Sequence, residues 1–205
     1  MIRKPPSEDH RTPAIIIMDN TPISLLGSIG ELDWLLKPTG TVWMTDVVME
    51  EALRLRIADQ YAREIIAAWI GANRYRIKVV ETKTGRRIRQ GLRLWELAGR
   101  PEDDRPDMGD LGERSVYDAV SNARDLPTEN ESFLAIMDDR EGRDAMKLVR
   151  ADVDLMGTRT FIRWLSEDHG IGDHREIWVS IFRATRGTAD PGLDDDQDPV
   201  YIRRR

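Results

Sequence analysis

The feature that most constrains the fold is an uninterrupted apolar segment near the start of the chain, Ala14 to Met18. Such a run, without polar alternation, is typical of a strand that is buried on both faces in the middle of a parallel sheet. Asp19 and Asn20 follow as capping-type residues, and Thr21-Pro22 suits the first turn of a helix. The sequence therefore predicts a central strand followed directly by a helix that reaches about Leu26.

The rest of the chain alternates between apolar strand-like segments and amphipathic helix-like segments. The predicted strands are Thr41 to Thr45, Tyr75 to Val80, Phe133 to Met137 and Val153 to Met156. The further predicted helices are Ile29 to Leu36, Val47 to about Ile70 (stopped by Gly71), Arg86 to Leu97, Leu111 to Ala123, Arg143 to Arg150, Thr158 to Ser166 and Arg175 to Thr185. Strands that alternate with helices favour right-handed crossovers, so we expect an α/β fold with a central parallel sheet flanked by helices.

Composition excludes several classes of protein. The 205 residues contain no cysteine and three histidines, which excludes disulfide frameworks, cysteine-zinc sites and thiol nucleophiles, and makes a histidine-rich metal site improbable. The formal charge of -6 predicts that a nucleic acid would meet a local patch and not the whole surface. The chain has no apolar run near the roughly 18 residues that a membrane span requires, so we expect no membrane partner and a cytoplasmic location.

Domain organisation follows from the same patterns. Residues 1–12 are charged and proline-rich, and we expect a flexible tail there. Residues 13–166 carry the alternating pattern of a single domain. Residues 167–205 form an extension with one possible helix and a charged end that contains five Asp between Asp190 and Asp198.

Acidic residues recur where the predicted strands end. Asp19 follows the first strand and Asp138-Asp139 follow the strand at Phe133, while Glu50, Glu51 and Glu113 fall in the first turns of helices. In a parallel sheet all of these positions face the edge formed by the carboxyl ends of the strands, where ligands bind. Crowded carboxylates repel one another unless a cation neutralises them, and Mg²⁺ or Mn²⁺ is the natural cation for oxygen ligands.

Each acid also has a simpler interpretation. An Asp after a strand is often only a helix cap, which is as probable for Asp19 as a metal-binding role. Glu50 suits a solvated helix face better than a site, and Glu113 would interact favourably with the dipole of its helix. Asp138-Asp139 is harder to explain in this way, because adjacent acids after a buried strand need a cation or a nearby Arg140.

Four stretches carry a resemblance to a known family. They are Ile17 to Leu26 (IMDNTPISLL), Met44 to Leu53 (MTDVVMEEAL), Asp110 to Ser115 (DLGERS) and Ala135 to Arg143 (AIMDDREGR), with Asp154 to Thr158 (DLMGT) after them. In this order and spacing the chain resembles the PIN-domain ribonucleases, and within them the VapC-like toxin branch. The sequence departs from the family at Met137, where a small hydroxyl residue is usual, and in a longer gap between Glu51 and Glu113.

The resemblance implies a three-layer PIN-like fold and a metal-dependent endoribonuclease, most simply the toxin of a toxin-antitoxin pair with a cognate antitoxin. It implies Mg²⁺ or Mn²⁺ held directly by Asp19 and Asp139, with Glu51 and Glu113 as ligands directly or through water. Asp138 would be a ligand or would orient a water molecule. Asn20 and Thr21 would lie near the scissile phosphate of the RNA substrate, although Thr21 is equally suited to capping a helix. The alternative is a catalytically inactive PIN-fold binding or regulatory module.

Other classes of protein with functional residues at strand ends fit the sequence less well. A haloacid-dehalogenase-like phosphotransferase needs a second Asp where Thr21 stands. A receiver domain needs its acid pair after the first strand and a lysine after the last. A dinucleotide-binding fold needs a G-x-G-x-x-G turn, and no predicted strand is followed by one.

A basic segment from Arg74 to Arg100 contrasts with the acidic chain. It has nine Arg and Lys against two Glu, which makes it the expected RNA-binding region, and Arg86, Arg87 and Arg89 are the candidate contacts. The alternative is that these arginines pair with Asp103, Asp104 or the acidic end of the chain.

A homodimer is the last expectation. Ile23, Leu26, Trp34 and Leu35 offer more apolar surface than one sheet face needs, and PIN toxins as a family commonly pair. The alternative is that these residues complete the core.

Overall fold

The computed structural model describes residues 13–54, 60–102, 106–107, 109–123, 132–149 and 153–186. The predicted N-terminal tail at 1–12 and the acidic end of the predicted C-terminal extension lie outside the described residues.

Five parallel strands form one central sheet. They are β1 Pro13–Met18, β2 Thr41–Thr45, β3 Ile77–Val80, β4 Ser132–Ile136 and β5 Val153–Met156, in the spatial order β3-β2-β1-β4-β5. β1 pairs with β2 on one side and β4 on the other, and its Ile16, Ile17 and Met18 have no exposed surface. The apolar run is therefore the central strand that the sequence predicted.

Eight α-helices in the described residues flank this sheet. They are α1 Asn20–Ser28, α2 Asp46–Leu53, α3 Gln60–Ala72, α4 Lys83–Leu97, α5 Leu111–Asn122, α6 Arg140–Val149, α7 Thr158–His169 and α8 His174–Ala184. This α/β arrangement confirms the predicted fold class and is consistent with a three-layer PIN-like fold. None of the described helices is long and apolar enough to cross a membrane.

The single long helix predicted from Val47 to Ile70 is wrong. α2 ends at Leu53, because Arg54 adopts an extended conformation with φ -65° and ψ 135°. The next described helix, α3, contacts α1 and buries Ile66 and Trp69 in the core. The sequence has no glycine or proline at this break. Packing of α3 on α1 therefore outweighs the helical propensity of the predicted single helix.

Several helix boundaries also differ from the prediction. Ile29 to Leu36 forms only a short 3-10 helix, Leu32–Leu36. Gly71 does not stop α3, which ends at Ala72. α4 begins at Lys83, three residues before the predicted start, because the Thr82 side chain accepts a hydrogen bond from the Gly85 N–H and caps the helix.

The C-terminal helices share the core of the sheet domain. α7 continues to His169, past the predicted domain end at residue 166. α8 packs on α1 and α7, and its Trp178 and Ile181 belong to the same buried cluster. The extension therefore contributes a helix to the domain.

The residues that suggested a dimer interface lie inside the chain. Ile23, Leu26 and Leu35 have no exposed surface, and Trp34 packs against the core. The apolar excess therefore completes the core, and the argument for a homodimer from these side chains is wrong.

Arg76, part of the basic segment, stabilises the fold. Its Nε donates a hydrogen bond to the Gly40 carbonyl at 3.1 Å, and its Nη2 donates to the carbonyls of Leu36 and Thr39, both at 2.9 Å. These bonds hold the turn that leads from the 3-10 helix into β2.

We expect Arg76→Met to lower the free energy of unfolding by about 1 to 3 kcal/mol, because three charge-assisted hydrogen bonds to carbonyls are lost. Urea unfolding measures the change. Arg74→Met is the matched control, since Arg74 is exposed two residues away, and it should change stability little. Equal stability of the two variants would contradict this structural role.

Candidate functional site

Asp19 lies at the end of β1 and begins α1. Its Oδ1 accepts a hydrogen bond from the Thr21 N–H at 3.0 Å, so Asp19, and not Thr21, caps the helix. Its own N–H donates to the Ile136 carbonyl at 3.2 Å, which ties it to β4. The side chain is only 5% exposed, and burial, followed by the charges of Asp138 and Glu113, raises its pKa well above the ordinary value. Asp19 is thus a cap that also faces other carboxylates.

Asp138 connects β4 to the start of α7. Its Oδ1 accepts a hydrogen bond from the Thr158 N–H and its Oδ2 accepts one from the Thr158 hydroxyl, both at 2.6 Å. Asp138 is 6% exposed. Both of its oxygens therefore hold the first turn of α7, which is a structural use that the sequence did not indicate.

Glu113 and Asp139 converge on the first turn of α6. A Cβ at Gly142 would lie 3.2 Å from Glu113 Oε2 and 3.2 Å from Asp139 Oδ2, so both carboxylates lie close against this glycine. Asp139 Oδ2 also accepts a hydrogen bond from the Gly142 N–H. Burial and then the charges of Asp139, Asp110 and Glu51 raise the pKa of Glu113 from 4.5 to about 7.

Glu51 reaches this group from α2. A Cβ at Gly112 would lie 2.7 Å from Glu51 Oε2, so the carboxylate packs directly against the first turn of α5. Its charge acts on the neighbouring Glu113. Of the two adjacent acids of α2, Glu51 therefore belongs to the site, whereas Glu50 pairs with Arg89 on the exposed side.

The five predicted acids form one electrostatic group at the carboxyl edge of the sheet. Asp19 interacts with Asp138 and Glu113, and Glu113 interacts in turn with Asp139 and Glu51. Within the described residues, however, no three acidic or histidine side chains already stand close enough to hold a metal ion. The donor set fits Mg²⁺ or Mn²⁺ chemically, because all donors are carboxylate oxygens, and burial together with their mutual repulsion raises the pKa values of Asp19 and Glu113. Binding would require the side chains to close together.

An open cleft of about 1150 Å³ leads away from Glu113 and Asp139. Its walls come from α4, α5 and the start of α6. Carboxylates gather near the start of α5, and Lys83 and Arg87 of α4 also line the cleft. This groove beside the acids is open to solvent.

The three candidate RNA-binding arginines differ in their surroundings. Arg87 lines the cleft. Arg86 lines a smaller groove of about 320 Å³ and lies 3.9 Å from Glu81 in an exposed ion pair. Arg89 donates to Asp46 Oδ2 at 2.7 Å and to Glu50 Oε1 at 3.0 Å, so its charge is used within the protein. The predicted alternative partners, Asp103, Asp104 and the acidic end of the chain, lie outside the described residues, so that alternative stays a prediction.

Asn20 and Thr21 lie in the first turn of α1. The Asn20 side-chain oxygen accepts a hydrogen bond from the Ser24 hydroxyl at 3.3 Å, and Thr21 contributes its backbone N–H to Asp19. Both contacts stabilise the start of α1, and the role of these two residues near an RNA substrate stays a prediction.

The sequence analysis did not predict the contacts of two side chains that support the site. Arg143 is 6% exposed, and its Nη1 donates to the carbonyls of Met137 and Asp138, which fixes the loop that carries the acid pair. Asp46 accepts hydrogen bonds from the N–H and the hydroxyl of Thr82 as well as from Arg89. The contacts of Arg143 reach back five and six residues to carbonyls before α6, and those of Asp46 join it to Thr82 36 residues away, so neither follows from a helical spacing in the sequence.

Comparisons of the chain with protein-family models, with curated proteins and with solved structures give no match. The PIN-like resemblance therefore rests on the sequence motifs, and any function must be argued from the site.

The raised pKa of Glu113 predicts how stability depends on pH in the presence of EDTA. Because the folded protein holds this proton more tightly than the unfolded chain, the free energy of unfolding should fall as pH rises from about 4.5 to about 7. Glu113→Gln should remove part of this fall, on the order of 1 kcal/mol once solvent screening is allowed for. Asp19 contributes in the same direction, so some slope remains.

Urea unfolding at several pH values between 4.5 and 8 measures this effect. Glu81→Gln is the control, because the Glu81 side chain is 75% exposed and stands before α4, outside the group of five acids. Parallel stability profiles for wild type and Glu113→Gln would show that the Glu113 proton is not held by the site.

Proposed function

We propose that the chain is a metal-dependent endoribonuclease that hydrolyses RNA phosphodiester bonds at the acidic edge of its sheet. The observation that carries this proposal is the meeting of five carboxylates from four separate parts of the chain, one of them the buried Asp19, beside an open cleft. Acids that serve only as helix caps need not lie close enough for their charges to interact, whereas acids that share a cation must.

Asp19, Glu51, Glu113 and Asp139 would hold Mg²⁺ or Mn²⁺. A divalent ion bound there would activate water and neutralise charge on the phosphoryl oxygens. The chain itself supplies orientation: Asp138 fixes the start of α7 through Thr158, and Arg143 fixes the loop that presents Asp139. The cleft would bring the RNA backbone to this edge. The reaction needs no cysteine or histidine nucleophile.

A catalytically inactive binding module is the second candidate, and one observation favours it. Both Asp138 oxygens are already hydrogen-bonded to Thr158, and the described acids do not form a ready three-ligand group. Such a module would bind RNA without hydrolysing it, so cleavage assays separate the two candidates.

A toxin role with a cognate antitoxin is a proposal that rests on the sequence resemblance alone, since site chemistry does not specify a biological role. A short open reading frame with a DNA-binding start beside the gene would support it.

We expect Asp19→Asn to lower RNA cleavage at least about 100-fold, the size of effect seen when a group that organises transition-state charge is removed. Asparagine keeps the cap to the Thr21 N–H and removes a buried like charge, so stability should not fall. Asp144→Asn is the matched control, because Asp144 is exposed on α6 and pairs with Lys147. Near-native cleavage by folded Asp19→Asn protein would exclude Asp19 from the reaction.

Metal dependence is an independent prediction. EDTA should abolish cleavage of a single-stranded RNA, and added Mn²⁺ or Mg²⁺ should restore it, because carboxylates without a cation repel the phosphate and cannot neutralise the charge on its oxygens. Cleavage by the purified protein that persists after exhaustive chelation, and that Asp19→Asn does not affect, would contradict the mechanism.

A further inference from the structure

The cleft contains a large aromatic side chain that is not covered. Tyr117 of α5 lines it and is 42% exposed. Tyrosine rings are normally packed by neighbours because they carry a large apolar area. A half-exposed ring in the wall of a polar groove is typical of surfaces on which unpaired bases stack.

Tyr117 lies on the same helix as Glu113, one of the five acids. It follows Glu113 by four residues on α5, and both residues line the cleft. Residues four apart lie on the same face of a helix, with a rise of about 6 Å between them. The nucleotide next to a phosphate held at the acids would therefore reach the ring.

Acidic side chains outnumber basic ones in the cleft, so RNA binding there requires a contact that does not depend on charge. Three basic side chains line it, and they are Lys83, Arg87 and Arg114. Six acidic ones also line it, namely Asp107, Asp110, Glu113, Asp118, Asp139 and Glu141. Phosphate contacts alone would hold a polyanion poorly in such a groove, even with a divalent ion at one end. Stacking on Tyr117 adds affinity that does not depend on charge.

A path for an RNA strand continues beyond the cleft. The smaller groove shares Lys83, Asp118 and Asn122 with the cleft and is also lined by Lys78 and Arg86. Basic side chains thus extend from Arg87 across the start of α4 toward β3. Of these, Lys78 lies 4.2 Å from the centre of the Trp43 ring and Arg86 pairs with Glu81, whereas Arg87 and Lys83 line the cleft itself.

We propose that Tyr117 is a positioning residue that stacks on the base of the nucleotide adjacent to the scissile phosphate of a single-stranded RNA. Arg87 and Lys83 contact the backbone of the same strand. This inference rests on the proposed function for the place of the scissile phosphate, but stacking itself is measurable without cleavage. The ring would select unpaired bases, because a base within a duplex cannot present its face to Tyr117.

The test uses full-length protein in the Asp19→Asn background, with enough Mg²⁺ to saturate its weakened cation site, so that the RNA stays intact, and gel electrophoresis checks its integrity. The probes are short single-stranded RNAs with 2-aminopurine at successive positions, whose fluorescence falls when the base stacks on an aromatic ring. Tyr117→Ala should weaken binding about 5- to 150-fold and remove the quenching at one position. Tyr117→Phe should retain both.

Two matched variants separate stacking from other roles. Tyr75→Ala removes a tyrosine that is 81% exposed and outside the cleft, and it should leave binding unchanged. Arg87→Ala should flatten the dependence of log affinity on log salt by about 0.7, whereas Tyr117→Ala should lower affinity without changing that slope.

Equal affinity and equal quenching for the Tyr117→Ala and Tyr117→Phe proteins would overturn the inference, whether or not the wild type cleaves RNA. Loss of affinity with an altered salt slope and no position-specific quenching would also overturn it. If Tyr117→Ala shows the expected loss but the wild type does not cleave RNA, stacking is supported and the proposed endoribonuclease activity fails. Binding of double-stranded RNA as tight as that of single strands would contradict base stacking at Tyr117.

Discussion

Parallel pairing of β1 between β2 and β4 is the constraint on which the rest of the structure depends. Because every strand runs in the same direction, every strand delivers the residue that follows it to one edge. Asp19 and the pair Asp138-Asp139 reach that edge directly, and the Asp19 N–H bonds to β4 itself at Ile136. The same residues in an antiparallel sheet would be distributed between two edges, and their charges would not interact.

The acids serve two purposes, and the two are physically coupled. Asp19, Asp138 and Asp139 each accept a backbone N–H at the start of a helix, which fixes the position of the carboxylate. Burial, and then the charges of neighbouring carboxylates, raises the pKa of Asp19 and of Glu113, which disfavours the charged form. The helix contacts therefore offset the repulsion that assembly of the site creates. A divalent cation would remove that repulsion, and the proposed reaction would use the bound cation.

Local patterns predicted the fold better than they predicted the contacts of the site. The strand at Ala14 to Met18 and the acids after strand ends follow from apolar runs and parallel topology, and both could be read from sequence. The break after Leu53 could not, because it depends on how α3 packs on α1. Nor could the pairing of Arg89 with Asp46, which joins residues 43 positions apart. Charge counting along the segment overestimated the cations available to RNA, since Arg76 and Arg89 are used by the fold.

Direct titration of the metal-free protein with Mn²⁺, followed by electron paramagnetic resonance of the free ion, tests the central claim that these carboxylates form a cation site. The account predicts saturable binding by the wild type, with a much weaker affinity in Asp19→Asn and an unchanged affinity in Asp144→Asn. Absence of saturable binding by the folded wild type, or equal affinity in wild type and Asp19→Asn, would contradict it.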